Sequence, residues 1–207
     1  MTGRVRVAAV LAVAAGVLLS GCGQQSYDYE PVDLGAPGEV TAPGTTLAFG
    51  ETAWLEHTFS TDSGDYTGLQ GVTVRDIAAA DASLFEEYSN AEEFAEYTPY
   101  LVVTQHQFAE DLPAEVDPDT VDLFPMLADG TDAEWLTSGY VTLAGPGDEC
   151  GLSLPDYDEE TRTLLQCFVA LSSTDAEVTS AQYLAEDYTA MVGTDGNEYL
   201  QAPVTWE

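Results

Sequence analysis

Between residues 45 and 207 the chain is cut into short apolar or alternating runs by clusters of Gly, Pro and Asp, and this punctuation constrains the fold more than any other feature. Runs of this length at this spacing read as the strands of an all-β domain. The candidates are 53–59 (AWLEHTF), 69–77 (LQGVTVRDI), 100–108 (YLVVTQHQF), 121–127, 139–144, 164–171, 178–184 and 200–206. In 69–77 the alternation is clear, with Val72 and Val74 on one face and Thr73 and Arg75 on the other. By β-propensity the strongest run is 100–108. Gly145-Pro146-Gly147, Asp129-Gly130 and Asp195-Gly196-Asn197 supply turns. Residues 78–96, rich in Ala, Glu and Leu, are the exception and predict one or two helical turns, which Pro99 ends. Many short strands and few helices predict an antiparallel β-sandwich, with Trp206 packed into its end.

The first 44 residues do not fit that pattern. Arg4 and Arg6 are followed by an uninterrupted apolar run over 7–19. That run is shorter than the roughly 20 residues of a spanning helix, and it matches the apolar region of a signal peptide. Leu19-Ser20-Gly21-Cys22 comes next and resembles the bacterial lipobox. The resemblance implies diacylglyceryl transfer to the Cys22 thiol and cleavage before it, so residues 1–21 are expected to be a lipoprotein signal peptide. Each buried methylene contributes about 0.8 kcal/mol, so one acyl chain binds marginally and two bind stably. The mature chain is therefore expected at the cell membrane, lipid-anchored on the extracytoplasmic face. Residues 22–44 are rich in Gly, Pro and acid and show no sustained period, which predicts a tether. Fully extended, the tether reaches about 70 Å. With no repeat and no second shift of composition, 45–207 is expected to be one domain.

Charge narrows the partners. Beyond the signal segment, only Arg75 and Arg162 oppose 37 carboxylates, and the chain has no Lys. Its formal charge there is 2 − 37 = −35. Such a surface repels nucleic acid, whose binding is driven by Lys and Arg, and an anionic bilayer. The membrane partner is thus reached through lipid on Cys22, not through charge. Average apolar content and abundant aromatics argue against disorder. A solvated surface is the ordinary meaning of the acid, and adaptation to a salty exterior the sharper one.

With Cys22 assigned to lipid, Cys150 and Cys167 remain as an even pair in an oxidising compartment, and a disulfide is expected between them. Closing a loop of about 18 residues is worth roughly 3 kcal/mol in the chain-entropy model. Metal ligation or a catalytic thiol has no support, since there is no CxxC and neither His lies near in sequence.

Several short pieces also occur in a telling order. They are Pro43-Gly44-Thr45-Thr46-Leu47, Phe49-Gly50-Glu51, Gly71-Val72-Thr73-Val74, and the stretch from Thr98 to Thr104 (TPYLVVT). The pair Cys150 and Cys167 and a closing Pro203-Val204-Thr205-Trp206 complete them. In this layout the chain resembles a family of actinobacterial surface lipoproteins with an immunoglobulin-like (telokin-like) domain of unknown function. The resemblance implies an immunoglobulin-like sandwich with one disulfide and no enzymatic activity, and it supplies no catalytic residue to carry over.

The residues themselves offer little chemistry. There is no G-x-S-x-G elbow, and His57 and His106 fall in predicted strands, where packing is the default. Carboxylate pairs discriminate nothing among 37 acids. Calcium is the best ligand candidate. Asp117, Asp119 and Asp122 cluster, as do Asp129, Asp132 and Glu134, and Asp156, Asp158, Glu159 and Glu160. None of these matches an EF-hand loop, and solvated turns explain them as well. No cofactor is expected. The reading is a non-catalytic binding or accessory module with an envelope or extracellular protein partner. A calcium- or solute-binding lipoprotein is the alternative, followed by an enzyme of unrecognised type.

Overall fold

A computed structural model describes residues 29–61, 64–86, 91–136, 156–173, 175–184 and 197–207. The expected signal segment 1–21, Cys22, Cys150 and the predicted strand 139–144 lie outside the described residues. Ten strands are present among them: β1 (Thr46–Leu47), β2 (Ala53–Thr61), β3 (Gly64–Ala79), β4 (Thr98–Phe108), β5 (Phe124–Leu127), β6 (Glu134–Leu136), β7 (Asp156–Asp158), β8 (Thr163–Ser172), β9 (Val178–Tyr183) and β10 (Val204–Trp206). They form two sheets. The larger runs β2-β3-β4-β8-β6, with β7 also on β8, and the smaller runs β1-β10-β9-β5. No helix among the described residues is long and apolar enough to cross a membrane.

The sheets pack face to face, as the alternation requires. Ala53, Leu55, Val72, Val74, Tyr100, Val102 and Ala170 from the larger sheet meet Leu127, Val178, Ala181, Tyr183, Val204 and Trp206 from the smaller in one buried cluster. Trp206 is fully buried and donates its Nε1–H to the Glu51 carbonyl at 2.9 Å, so the large ring buries no unpaired donor. At one end Phe59, Phe108, Val116 and Leu164 close the interior, with Tyr66 and Tyr157 packed against them.

Three expectations need correction. β1 pairs with β10 in parallel, joining the first and last strands of the described fold, so the sandwich is not wholly antiparallel. The expected strand 200–206 is shorter: Glu198–Gln201 makes one helical turn (α1), and only Val204–Trp206 is extended. Asn197 causes this by accepting from the Tyr199 and Leu200 amides, and Pro203 cannot continue a helix. Likewise 121–127 is a strand only over Phe124–Leu127. The helical turns expected in 78–96 are two 3-10 turns, Ala82–Phe85 and Ala91–Phe94.

β4 is the centre of the molecule and is buried on both faces from Pro99 onward. Its inward face carries Tyr100, Val102, Thr104, His106 and Phe108. Its outward face carries Leu101, Val103, Gln105 and Gln107. The 3-10 turns cover Leu101 and Val103, through Phe85, Leu84 and Phe94. The two glutamines lie beyond the reach of these turns and are covered by the segment that precedes β1.

Candidate functional site

Two groups of polar side chains converge on β4, one on each face. On the outward face the fully buried Gln105 stands beside Arg75 of β3. Arg75 reaches this face because the β3–β4 register shifts there: Val74 opposes Thr104 and Asp76 opposes Val103. This β-bulge sends both Arg75 and Asp76 outward and returns Ile77 to the inward side, where strict alternation would have placed Asp76 inside the sandwich.

These side chains hold the chain's own main chain. The Gln105 amide binds Val32 twice: the Val32 N–H donates to Oε1 at 3.0 Å and Nε2 donates to the Val32 carbonyl at 2.5 Å. Gln107 repeats the arrangement more loosely, accepting from Leu34 N at 3.3 Å and donating to the Gly35 carbonyl at 3.5 Å. Arg75 donates to the Glu30 carbonyl and to Gln105 Oε1, fixing the orientation of that amide. The Tyr29 hydroxyl donates to Asp76 at 2.8 Å. Further along, Thr41 pairs with Trp54 of β2, its N–H donating to the Trp54 carbonyl and its Oγ1 accepting from Trp54 N. Residues 29–44, expected to belong to the tether, thus run across the larger sheet. A Cβ on Gly38 would lie 2.9 Å from the Trp54 ring, and one on Gly71 would lie 2.9 Å from the ring's other end, so this indole is held between two glycines.

On the inward face, His106 lies wholly buried between Gln70 and Thr104. The Gln70 amide is oriented by two main-chain bonds, with Nε2 donating to the Asp119 carbonyl and Oε1 accepting from Val121 N. His106 Nδ1, 3.1 Å from that same Oε1, must therefore carry the proton. Nε2 is then free to accept from the Thr104 hydroxyl at 3.0 Å. The neutral ring satisfies every partner around it. Burial, and secondarily the nearby His57, lowers the His106 pKa to about 3. His57 itself lies on β2 with its ring edge-on to Phe59 at 4.4 Å. This group braces the interior of the sandwich.

Three of the carboxylates singled out for calcium serve their own turns. Asp129 accepts from the Thr131 N–H and hydroxyl, and Asp158 from the Glu160 and Thr161 amides. Those bonds hold both carboxyls below the usual range. Asp119 accepts from Thr120 N. Among the described residues no group of three or more His, Cys, Asp or Glu converges at metal-binding distance.

Of the expected site residues, Cys22 and Cys150 lie outside the described residues. Cys167 lies on β8 opposite Val103 and packs partly buried in the cluster under the 3-10 turns. The described tyrosines, from Tyr29 to Tyr199, are all buried or half-buried, so they serve packing more than display. Sequence reasoning does not single out Gln105 and Gln107; two glutamines one residue apart in the run of strongest β-propensity are the signal. Comparisons with protein-family models, with curated proteins and with solved structures find no match to this chain.

Proposed function

We propose that this chain is a lipid-anchored extracytoplasmic envelope protein whose sandwich is a non-catalytic binding or accessory module for a protein partner. The observation that carries the reading is the order Arg4, Arg6, apolar 7–19, Leu19-Ser20-Gly21-Cys22. The two-sheet, all-β architecture supports the immunoglobulin-like part of this reading. Asp129 and Asp158, each already accepting from its own turn, favour a scaffold over a calcium binder.

The Cys150–Cys167 disulfide belongs to the same proposal. Support comes from the arithmetic that leaves Cys150 and Cys167 as an even pair once Cys22 carries lipid.

Mass spectrometry of protein recovered from membranes is expected to give a mature chain starting at diacylated Cys22, with no free thiol. Cys22→Ser should move the protein out of the membrane fraction. A chain recovered with residues 1–21 in place, or with two free thiols, would overturn the anchor or the disulfide respectively.

A further inference from the structure

We propose that the outward face of β3 and β4 is a main-chain-binding site whose resident occupant is the chain's own segment 29–41, a strap that opens without unfolding the sandwich and sets how far the fold stands from its anchor. Only the stand-off half of this rests on the lipid-anchor reading; the strap itself does not.

The chemistry of the seat is specific. Gln105 offers a buried acceptor and a buried donor to one residue's N–H and C=O, the pairing a neighbouring strand would make. Gln107 repeats it two residues later, matching Leu34 and Gly35. Side-chain amides thereby do for the strap what a strand edge does, on a sheet face where no edge exists. Because both glutamines grip Val32, Leu34 and Gly35 by the main chain, the seat reads an extended backbone more than particular side chains. Val32 and Val40 keep 43% and 47% of their surface exposed, so beyond Tyr29 and the cover over Trp54 little apolar area fastens the strap. Held by main-chain hydrogen bonds at a solvent boundary, it belongs to the part of a structure that opens locally.

Position gives the opening a consequence. Seven chain steps separate Cys22 from Tyr29, about 25 Å at full extension. With the strap released, free chain continues to residue 41 and the reach becomes about 65 Å. The closed strap holds this face of the larger sheet near the anchor, and release lets the fold stand clear.

The test uses the mature chain, residues 22–207, coupled through Cys22 to maleimide lipid in neutral vesicles, so that it does not depend on cellular lipidation. Two variants attack the strap from opposite sides. Val32→Pro with Leu34→Pro removes the donors without touching the sandwich, and Gln105→Ala with Gln107→Ala removes the seat. In the wild type the Val32, Leu34 and Thr41 amides should exchange more slowly than a free peptide but at least tenfold faster than the central β4 amides. Both variants should bring Thr41 to free-peptide exchange and increase acrylamide quenching of Trp54. They should also lengthen the distance from the bilayer to a dye on the sandwich. Wild-type Val32 and Leu34 exchanging as a free peptide would show there is no strap, and exchange only with global unfolding would show it does not open alone. Loosened strap variants at an unchanged bilayer distance would overturn the stand-off role. If the glutamine variant fails to fold, the proline variant decides alone.

Discussion

At the scale of single residues, His106 is the group whose chemistry the fold has altered most. Its neutral form is built in by Gln70 and Thr104, and its pKa falls from 6.5 to about 3. The unfolded chain therefore binds a proton between those values that the folded chain refuses. Stability rises with pH wherever the unfolded state holds more protons, so it must fall as the solution is acidified from about pH 6.5 toward 3. The slope for one such group is about 1.4 kcal/mol per pH unit. Asp81, Asp129 and Asp158, which accept hydrogen bonds from their own turns, have lowered pKa values and lose their contribution only in stronger acid. Between pH 6.5 and 4.5 the wild-type slope thus includes the His106 contribution, and comparison with a variant lacking that ring isolates it. Urea unfolding across that window should show the midpoint falling for the wild type and a much flatter profile for His106→Gln, whatever the variant's absolute stability. Equal slopes in the two proteins would mean that the ring is not held neutral. None of this is legible in the sequence. A histidine in a strand looks the same whether its side chain meets water or Gln70, and Gln70 lies 36 positions away.

Elements were legible in proportion to how much apolar surface they bury. The runs 53–59, 69–77, 100–108, 164–171 and 178–184 correspond to β2, β3, β4, β8 and β9, because each must hide an alternating face from water. β6 and β7 escape notice. Each has only three residues and includes acid, and each is held by main-chain pairing to β8 more than by its own hydrophobicity. The strap escapes for the same reason: its partners are two glutamine amides and an arginine, a pairing no local periodicity encodes. Its energetics are correspondingly slight. Net hydrogen bonds of about 0.5–1.5 kcal/mol each must offset about 1–2 kcal/mol of backbone ordering per residue. The bulge in β3 makes a sharper prediction. Arg75 is the inserted residue, and without it Val74 and Ile77 still face inward while Asp76 still faces outward. Deleting Arg75 should leave the sandwich folded, with a loss of no more than about 1–2 kcal/mol from the bonds to Gln105 and Glu30. Hydrogen exchange should instead quicken at Thr41 and Val32. Collapse of the whole fold on deletion would show that the bulge shapes the twist of the sheet, beyond aiming a side chain.

For the whole molecule, charge is the property that most sets its behaviour in solution. Residues 22–207 carry 37 carboxylates and two arginines, and neither arginine does much to neutralise them. Arg162 approaches Asp111 at 3.9 Å across a mostly open surface, where an ion pair contributes about 0–1 kcal/mol. Arg75 is turned to neutral oxygens, Gln105 Oε1 and the Glu30 carbonyl. The folded state therefore concentrates like charge that the unfolded chain spreads out. Salt should relieve this, since the screening length falls from about 30 Å at 0.01 M to about 10 Å at 0.1 M and 3 Å at 1 M. At pH 7, where His106 is neutral in both states, raising NaCl from 0.01 to 1 M should stabilise the fold by about 1–2 kcal/mol, or roughly 2–8 °C in Tm, with most of the gain below 0.15 M. Sulfate complicates the reading, because it strengthens apolar burial at any charge. The decisive comparison is thus between NaCl and Na2SO4 at equal ionic strength. Screening predicts the same early rise for both salts, followed by divergence only above about 0.3 M, where burial effects take over. A flat NaCl curve below 0.15 M would mean that the carboxylates stand far enough apart to ignore one another, and the acid would then be no adaptation to salt but simply the coat that keeps the domain soluble.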